Sequence, residues 1–471
     1  MRTVVVVGGG ISGLAAAHFL TEAGQDVVVL EASGEVGGKL KTGTIAGIDV
    51  DLGAESVLAR RPEALGLIGA VGLQDEVIAP STTAASVRVG GVLRPLPRKT
   101  MLGVPADLDA VRESGVLSEG GLALLAAEPS REPLPPITED VSVGRLVRDR
   151  LGDEVADRLV EPLLGGVYAG RADNLSLRAT MPALARALTE GGSLVAAAQR
   201  VTDVGTHDPG TAGPVFASLR GGIGTLPQAL AKTLNVRTNV TVRAIERTAR
   251  GFRLVCGAVP DTTVIEADAV VLAVPAPKAA RLLADLAPAA SRELAGVETA
   301  SMALTTFAFR DVELPVGSGL LVGAREGLAV KAVTVSSHKW PMETSGGTPI
   351  NKGVADGGDI TVLRASVGRA GETESLQRED ADLVALVRRD LRALLGLTAE
   401  PVDTIVTRWG GGLPQYAVGH PEKVERIRTS VASVPGLAVA GATYDGVGIP
   451  ACIASARAAA DRVLAQLAHP R

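Results

Sequence analysis

Residues 4–31 contain Val4-Val5-Val6-Val7-Gly8-Gly9-Gly10-Ile11-Ser12-Gly13, then Leu14, Ala17 and Leu20 at helical spacing, then Gly24, then Val27-Val28-Val29-Leu30-Glu31. Four consecutive β-branched residues without polar alternation predict a strand covered on both faces, as in a parallel sheet. The glycines match G-x-G-x-x-G between that strand and a helix. Gly8 permits the tight turn, Gly10 lets a pyrophosphate approach the backbone, and Gly13 lets helix and strand pack closely. Gly9, Ile11 and Ser12 complete the loop, whose N–H groups and positive helix end face the phosphates. Glu31 ends the second strand, where a carboxylate can accept from a ribose 2′-OH. The glycine pattern alone is weak. Strand, loop, helix, strand and acid in register predict an α/β, Rossmann-like dinucleotide site.

The next stretch separates NAD from FAD. Ala32-Ser33-Gly34-Glu35-Val36-Gly37-Gly38-Lys39 sets a second glycine pair and a cation after the ribose acid, giving more backbone donors and a positive charge for the same diphosphate. This resembles the "GG" signature of the FAD-containing amine oxidase and porphyrinogen oxidase superfamily. Asp51-Leu52-Gly53-Ala54-Glu55-Ser56 resembles that superfamily's segment beside the isoalloxazine. FAD is therefore the expected cofactor. Residues 435–441 read as a strand ending in Gly441. Tyr444-Asp445-Gly446-Val447-Gly448-Ile449-Pro450 then leads into an Ala-rich helix. A helix start aimed at the flavin pyrimidine would stabilise charge on the reduced ring. A docking helix that touches nothing catalytic is the plainer alternative.

The chain has 471 residues, enough for about three domain-sized units. A net charge of −5 argues against a general nucleic-acid binder. With 46% hydrophobic and 21% charged residues the chain can bury a large core. Five Phe, three Tyr and two Trp mean that this core is mainly Ala, Val and Leu. Cys256 and Cys452 cannot make a disulfide framework, and a reducing, cytoplasmic setting is expected. His18, His207, His338, His420 and His469 are scattered, so no metal site is expected. Val4–Leu20 could pass for the apolar region of a signal peptide, but its glycines are poor in a helix interior. No run of 18 or more apolar residues predicts a membrane span.

The domain pattern reads as discontinuous: residues 1–80, 217–290 and 405–471 for FAD, 81–100 and 291–404 as a mixed-sheet substrate-binding domain, and 101–216 as a helical insert. Within this scheme residues 88–99 read as one basic strand-like piece, 202–216 as a turn-rich loop, 236–242 and 263–275 as strands, and 344–359 as a Gly-rich loop. Asp140 and Ser142 read as helix caps. The acids Asp107, Asp109, Glu113, Glu119, Glu128 and Glu132 read as a solvated surface of the insert rather than a membrane-docking one.

Over nearly its whole length the chain resembles the bacterial coproporphyrinogen III oxidases, relatives of protoporphyrinogen oxidase. The resemblance rests on Glu161–Gly170, Leu175–Pro182, Ser337-His338-Lys339-Trp340, Arg408-Trp409 with Pro414-Gln415-Tyr416, and Tyr444–Pro450. It implies FAD contacts at Gly8 to Gly13, Glu31, Ala32, Gly38, Lys39, Gly53, Ala54, Glu55, Ser56, Val242, Trp409, Gly441, Val447, Gly448 and Ile449. It implies a flavin oxidase that aromatises a porphyrinogen in three hydride transfers, with molecular oxygen yielding peroxide and the downstream ferrochelatase as a candidate partner. Arg61 is expected at a substrate propionate. It precedes Pro62, which favours extended geometry, and its fork suits a carboxylate. Tyr168, in a Gly-flanked turn, is expected near the pocket, with a structural tyrosine as the alternative. No catalytic acid or base is assigned. Cys452 reads as a small buried residue, against a covalent flavin link. Two departures from the family pattern are Ala451, where an Asp is expected, and Gly410-Gly411-Gly412, expected to loosen a loop.

Other readings differ in class. Protoporphyrinogen IX oxidase shares the ring chemistry. An amine oxidase would want an aromatic cage, which ten aromatics disfavour. A carotenoid desaturase would want an apolar tunnel, and the Arg/Lys run at 88–99 disfavours it. A non-catalytic relative of the Rab-escort type would lose the phosphate glycines, which are all present.

Overall fold

The computed structural model describes residues 2–204, 214–341 and 359–468. Nearly all of the expected loop at 344–359, most of the stretch at 202–216, His207 and His469 lie outside the described residues. The strands that place the site are, in chain order, β1 (Thr3–Val7), β2 (Asp26–Leu30), β3 (Ala85–Val89), β4 (Val92–Pro95), β5 (Asn235–Arg237), β6 (Val242–Arg247), β7 (Phe252–Cys256), β8 (Thr263–Ala267), β9 (Ala269–Leu272), β10 (Thr299–Arg310), β11 (Gly319–Val322), β12 (Val330–Val335), β13 (Ile360–Val367), β14 (Asp403–Pro414) and β15 (Leu437–Val439). The helices are α1 (Ile11–Glu22), α2 (Pro62–Ala70), α3 (Val143–Leu151), α4 (Glu161–Tyr168), α5 (Leu194–Val204), α6 (Thr225–Thr233), α7 (Asp380–Leu395) and α8 (Ile449–Ala468).

The first sheet is parallel, in the order β5-β2-β1-β9-β15. The unbroken Val4–Val7 run has a direct cause. Val4 and Val6 face a core made with Leu14 and Leu20 of α1 and Ile453 of α8. Val5 and Val7 face a second core on the other side, with Phe252, Leu254 and Leu283. Each fully buried Val contributes about 1.5–3 kcal/mol, so a polar residue at any of the four would be costly. Small residues, Ala15 to Ala17 on α1 and Ala456, Ala459 and Ala460 on α8, let these two helices approach closely.

The second sheet is mixed and seven-stranded, in the order β14-β10-β13-β12-β11-β3-β4. It is antiparallel except for the parallel β11–β3 pair. One face packs on α7, through Val330, Val333, Leu363, Leu383 and Val387. Leu321, on the other face, packs against the helical cluster of the insert.

Several segments differ from the sequence reading. Residues 236–242 are two strands: β5 ends at Arg237, Asn239 turns the chain at φ 59°, and β6 joins the antiparallel sheet β6-β7-β8. Residues 263–275 are likewise β8 and β9, with Asp268 between them accepting from Thr3 N at 2.9 Å. Apolar pattern does not reveal a change of sheet when both strands are apolar. The basic piece at 88–99 is a hairpin turned at Gly90-Gly91. Gly410–Gly412 are not a loose loop. They form a bulge within β14, where Ala300 opposes Leu413 but Met302 opposes Trp409, and Ser301 Oγ accepts from Gly411 N at 2.9 Å. β14 begins before residue 405 and runs in the seven-stranded sheet up to Pro414.

In the insert, Ser142 caps α3, accepting from Arg145 N at 3.2 Å. Asp140 does not cap α3. It accepts from Arg178 N at 3.1 Å and Gly419 N at 2.7 Å. Glu128, expected at the surface, is fully buried. It accepts from Arg150 Nη2 at 2.8 Å, from Leu194 N at 2.8 Å and from Ser193 Oγ, and so closes the start of α5. Burial pushes this carboxyl up, but those donors outweigh it and hold it below the usual range. Among the described residues no helix is long and apolar enough to cross a membrane, and both cysteines are free.

Candidate functional site

The glycine loop is built by steric necessity. Gly8 sits at φ 110°, and a Cβ there would lie 2.5 Å from Ala273 O. A Cβ on Gly13 would overlap the Gly8 carbonyl oxygen. Gly10 is different: its φ of −74° suits any residue, and nothing lies within 4 Å of a Cβ built there. It precedes α1, whose amino end has no side-chain cap. The protein thus leaves open space directly before uncapped amides, the arrangement that suits a phosphate.

The second glycine pair folds onto this loop. Gly37 N donates to Gly9 O at 2.8 Å, and Gly10 and Gly37 form a bridge. A Cβ on Gly38 would lie 3.3 Å from Gly10 Cα. Lys39 follows, half-buried, and among the described residues its ammonium makes no hydrogen bond or ion pair to a protein group. Burial pushes its ammonium below the usual lysine range. A partly desolvated, unpaired cation beside uncapped amides fits the diphosphate of a dinucleotide.

Glu31 does more than the sequence suggests. Oε2 accepts from Gly9 N at 2.7 Å, and Oε1 accepts from Ser33 N at 2.8 Å and Ser33 Oγ at 2.7 Å. The acid therefore fixes the glycine loop, and Oε2 keeps a lone pair for a ribose hydroxyl. Ala32 is exposed beside it. Val242 is buried at the start of β6, near the strand end where Val240 N donates to Glu31 O at 2.8 Å.

The Asp51–Ser56 segment runs against Lys39. Ala54 N donates to Lys39 O at 3.0 Å, and a Cβ on Gly53 would overlap that same oxygen. Trp409 of β14 lies on the segment, its Nε1 donating to Leu52 O at 3.3 Å. From the C-terminal part, Gly441 comes near Ser12: a Cβ there would lie 3.8 Å from Ser12 Oγ. Gly448 O accepts from Cys452 N at 3.0 Å in the first turn of α8, Ile449 is buried, and Val447 packs on the insert. Burial pushes the Cys452 thiol up, with Ser12 and Lys39 opposing. A raised thiol is a poor nucleophile.

Sequence reasoning missed three neighbours. Glu55 is held by Lys339 at 2.6 Å and Arg364 at 2.7 Å. Burial pushes Glu55 up, but the two cations win and hold it below the usual carboxylate range. Asp51 accepts from Ile223 N at 3.0 Å and Gly224 N at 3.2 Å, and burial pushes it up to about 7.

The two expected substrate residues make other contacts. Arg61 has the extended geometry expected before Pro62. Its guanidinium is exposed and paired with Glu63, with Nε at 3.1 Å. Tyr168 is the last residue of α4 rather than part of a loop, and Ala169 makes the left-handed cap. Its buried ring lies 5.6 Å from Tyr416 in the insert core, and burial pushes its hydroxyl up to about 12. A cleft of about 720 Å³ beside α3, lined by Arg145, Asp149, Asp173 and Asn174 among others, contains none of the expected site residues.

Comparison with known proteins adds to this geometry. The flavin containing amine oxidoreductase family matches residues 11–464. The chain belongs to that family. Coproporphyrinogen III oxidase of Mycobacterium tuberculosis is 37% identical over 99% of this chain and 98% of its own length. Bovine protoporphyrinogen oxidase is 32% identical over 98% of each. A crystal structure from Exiguobacterium, provisionally assigned as a protoporphyrinogen oxidase, superposes with a TM-score of 0.84 at 33% identity, covering 99% of both chains. The enzyme is thus a flavoprotein on the porphyrinogen oxidase branch, and its cofactor is FAD. The glycine loop, Gly37–Lys39 and Glu31 are the residues whose arrangement fits it.

Proposed function

We propose that the enzyme oxidises coproporphyrinogen III to coproporphyrin III in heme biosynthesis, in the cytoplasm, with molecular oxygen as final acceptor. The observation that carries the reading is the open cradle of Gly10, the uncapped start of α1 and unpaired Lys39, in a chain similar end to end to enzymes of that name. Bound FAD would accept a hydride at each of three oxidations, which together remove six electrons and six hydrogens from the macrocycle. Three oxygen molecules would leave as three peroxides. In this reading Lys39 and the loop amides bind the diphosphate, Glu31 orients the ribose, and Trp409 and Gly53 shape the flavin edge. Residues 1–80, 217–290 and 415–471 serve FAD, 81–100 and 291–414 form the substrate side, with Trp409 of β14 reaching the flavin edge, and 101–216 covers the substrate. Arg61 would exchange Glu63 for a substrate propionate, and Tyr168 would border the pocket. A downstream ferrochelatase would take the porphyrin product for iron insertion.

Protoporphyrinogen IX is the second reading, favoured by the bovine relative. The substrates differ in charge, four propionates against two. Turnover with coproporphyrinogen III should give porphyrin absorbance and oxygen uptake in a ratio of one to three. Porphyrin formation without oxygen uptake would refute the oxidase assignment.

A further inference from the structure

Arg364 of β13 and Lys339, at the end of the short helix that follows β12, grip the carboxylate of Glu55 in the Asp51–Ser56 segment. Lys339 Nζ lies 2.6 Å from Glu55 Oε1, and Arg364 Nη1 lies 2.7 Å from Glu55 Oε2. Arg364 Nη2 also donates to Gly53 O. All three side chains are largely withdrawn from water, at 17% exposure for Lys339, 12% for Glu55 and 7% for Arg364. Lys339 is further held over the Trp340 ring, 5.0 Å from its centroid. The Nε of Arg364 is buried with no hydrogen-bond partner.

Charge and geometry then combine. Among the described residues two cations face one carboxylate, an excess of one positive charge. Asp51 is close enough to Arg364 to feel its charge, and burial pushes its carboxyl up to about 7. An excess charge in a low-dielectric setting acts over several ångströms. Its position is also fixed. Gly53 cannot move without Lys39, since their backbones are in contact and Ala54 N donates to Lys39 O. Arg364 therefore couples the β13 strand to both the flavin-edge segment and the diphosphate cation.

We infer that Arg364 and Lys339 are positioning residues for the flavin: they hold the Asp51–Ser56 segment against it and supply a fixed positive charge that favours its reduction. Hydride uptake adds negative charge to the ring, and a preorganised cation stabilises that charge without reorganising. This deepens the proposed function and rests on it. The alternative is a staple between two domains with no electronic effect.

The test uses the purified holoenzyme and the variants Arg364→Met, Arg364→Lys and Lys339→Met. Flavin midpoint potential, visible spectrum and anaerobic reduction rate are measured with KM. Each Met variant should shift the flavin reduction equilibrium about tenfold, a fall of about 30 mV for a two-electron couple. Reduction should slow while KM stays near wild type. Arg364→Lys keeps the charge and should restore the potential. If Arg364→Met loses FAD, Lys339→Met decides, since it leaves the grip on Gly53 in place. Wild-type potentials in the Met variants, whatever their stability, would overturn the inference, as would a raised KM at unchanged potential. A colourless, inactive wild type would sink the function reading itself. A yellow, active wild type with unmoved variants would sink this inference alone.

Discussion

Gly10→Ala separates the fold of the glycine loop from its ligand. Gly10 has φ −74° and ψ 174°, ordinary extended geometry, and the added methyl meets no protein atom within 4 Å. The apoprotein should therefore gain about 0.4–1 kcal/mol, because alanine restricts the unfolded chain more than glycine does. The penalty falls on the cofactor. The methyl projects into the space before the uncapped amides of α1, the proposed site of the diphosphate. Losing one amide bond to a charged oxygen costs about 1.5–3 kcal/mol, or roughly 10- to 150-fold in FAD affinity. Gly13→Ala is the matched control. Its methyl overlaps the Gly8 carbonyl oxygen, so the fold itself should lose stability. Apoprotein melting and FAD titration by flavin fluorescence read the two effects separately. A Gly10→Ala variant that binds FAD as tightly as wild type, or whose apoprotein is destabilised, would refute the placement of the diphosphate.

Four further outcomes are expected. Lys39→Met should weaken FAD by roughly 10- to 150-fold, read by the same titration, with apoprotein stability unchanged or higher because an unpaired buried cation is removed. Arg61→Ala should raise KM for the porphyrinogen by about 1.5–3 kcal/mol equivalent, with FAD content normal, since its exposed pair with Glu63 is worth about 0–1 kcal/mol; an unchanged KM would make Arg61 structural. Glu128→Ala should cost about 3–5 kcal/mol in denaturant melts by leaving Arg150 buried and unpaired, and in wild type this contribution, from a lowered carboxyl, is present above the usual pKa and lost as pH falls below about 4. Asp51 is raised to about 7, so its contribution is full below about pH 4 and declines as pH rises to 7; Asp51→Asn should remove that slope, of about 1.4 kcal/mol per pH unit, from the pH dependence of stability.

Much of the candidate nucleotide site was legible because its chemistry is local. The glycines, the flanking Val runs, Glu31 and Lys39 all fall within residues 4–39, and sterics demand glycine at Gly8 and Gly13 of the motif. The charged triad was not legible, because Glu55 meets Lys339 and Arg364 across 284 and 309 residues. One signal was available: Arg364 is a lone charge in the otherwise apolar or small strand Ile360–Val367. Glu128 misled in the same way. It caps a helix that starts 66 residues later, and nothing local marks it as buried. Tyr168 was placed by its glycine neighbours, yet Gly165 and Gly166 continue the helix that ends on it.

The central claim is that this flavoenzyme takes hydride from a four-carboxylate porphyrinogen. Anaerobic mixing of the yellow holoenzyme with coproporphyrinogen III and, in parallel, with protoporphyrinogen IX reads this directly in the flavin absorbance. The account predicts faster bleaching with coproporphyrinogen III. Equal or faster bleaching with protoporphyrinogen IX would contradict the substrate assignment, and no bleaching with either would contradict the oxidase itself.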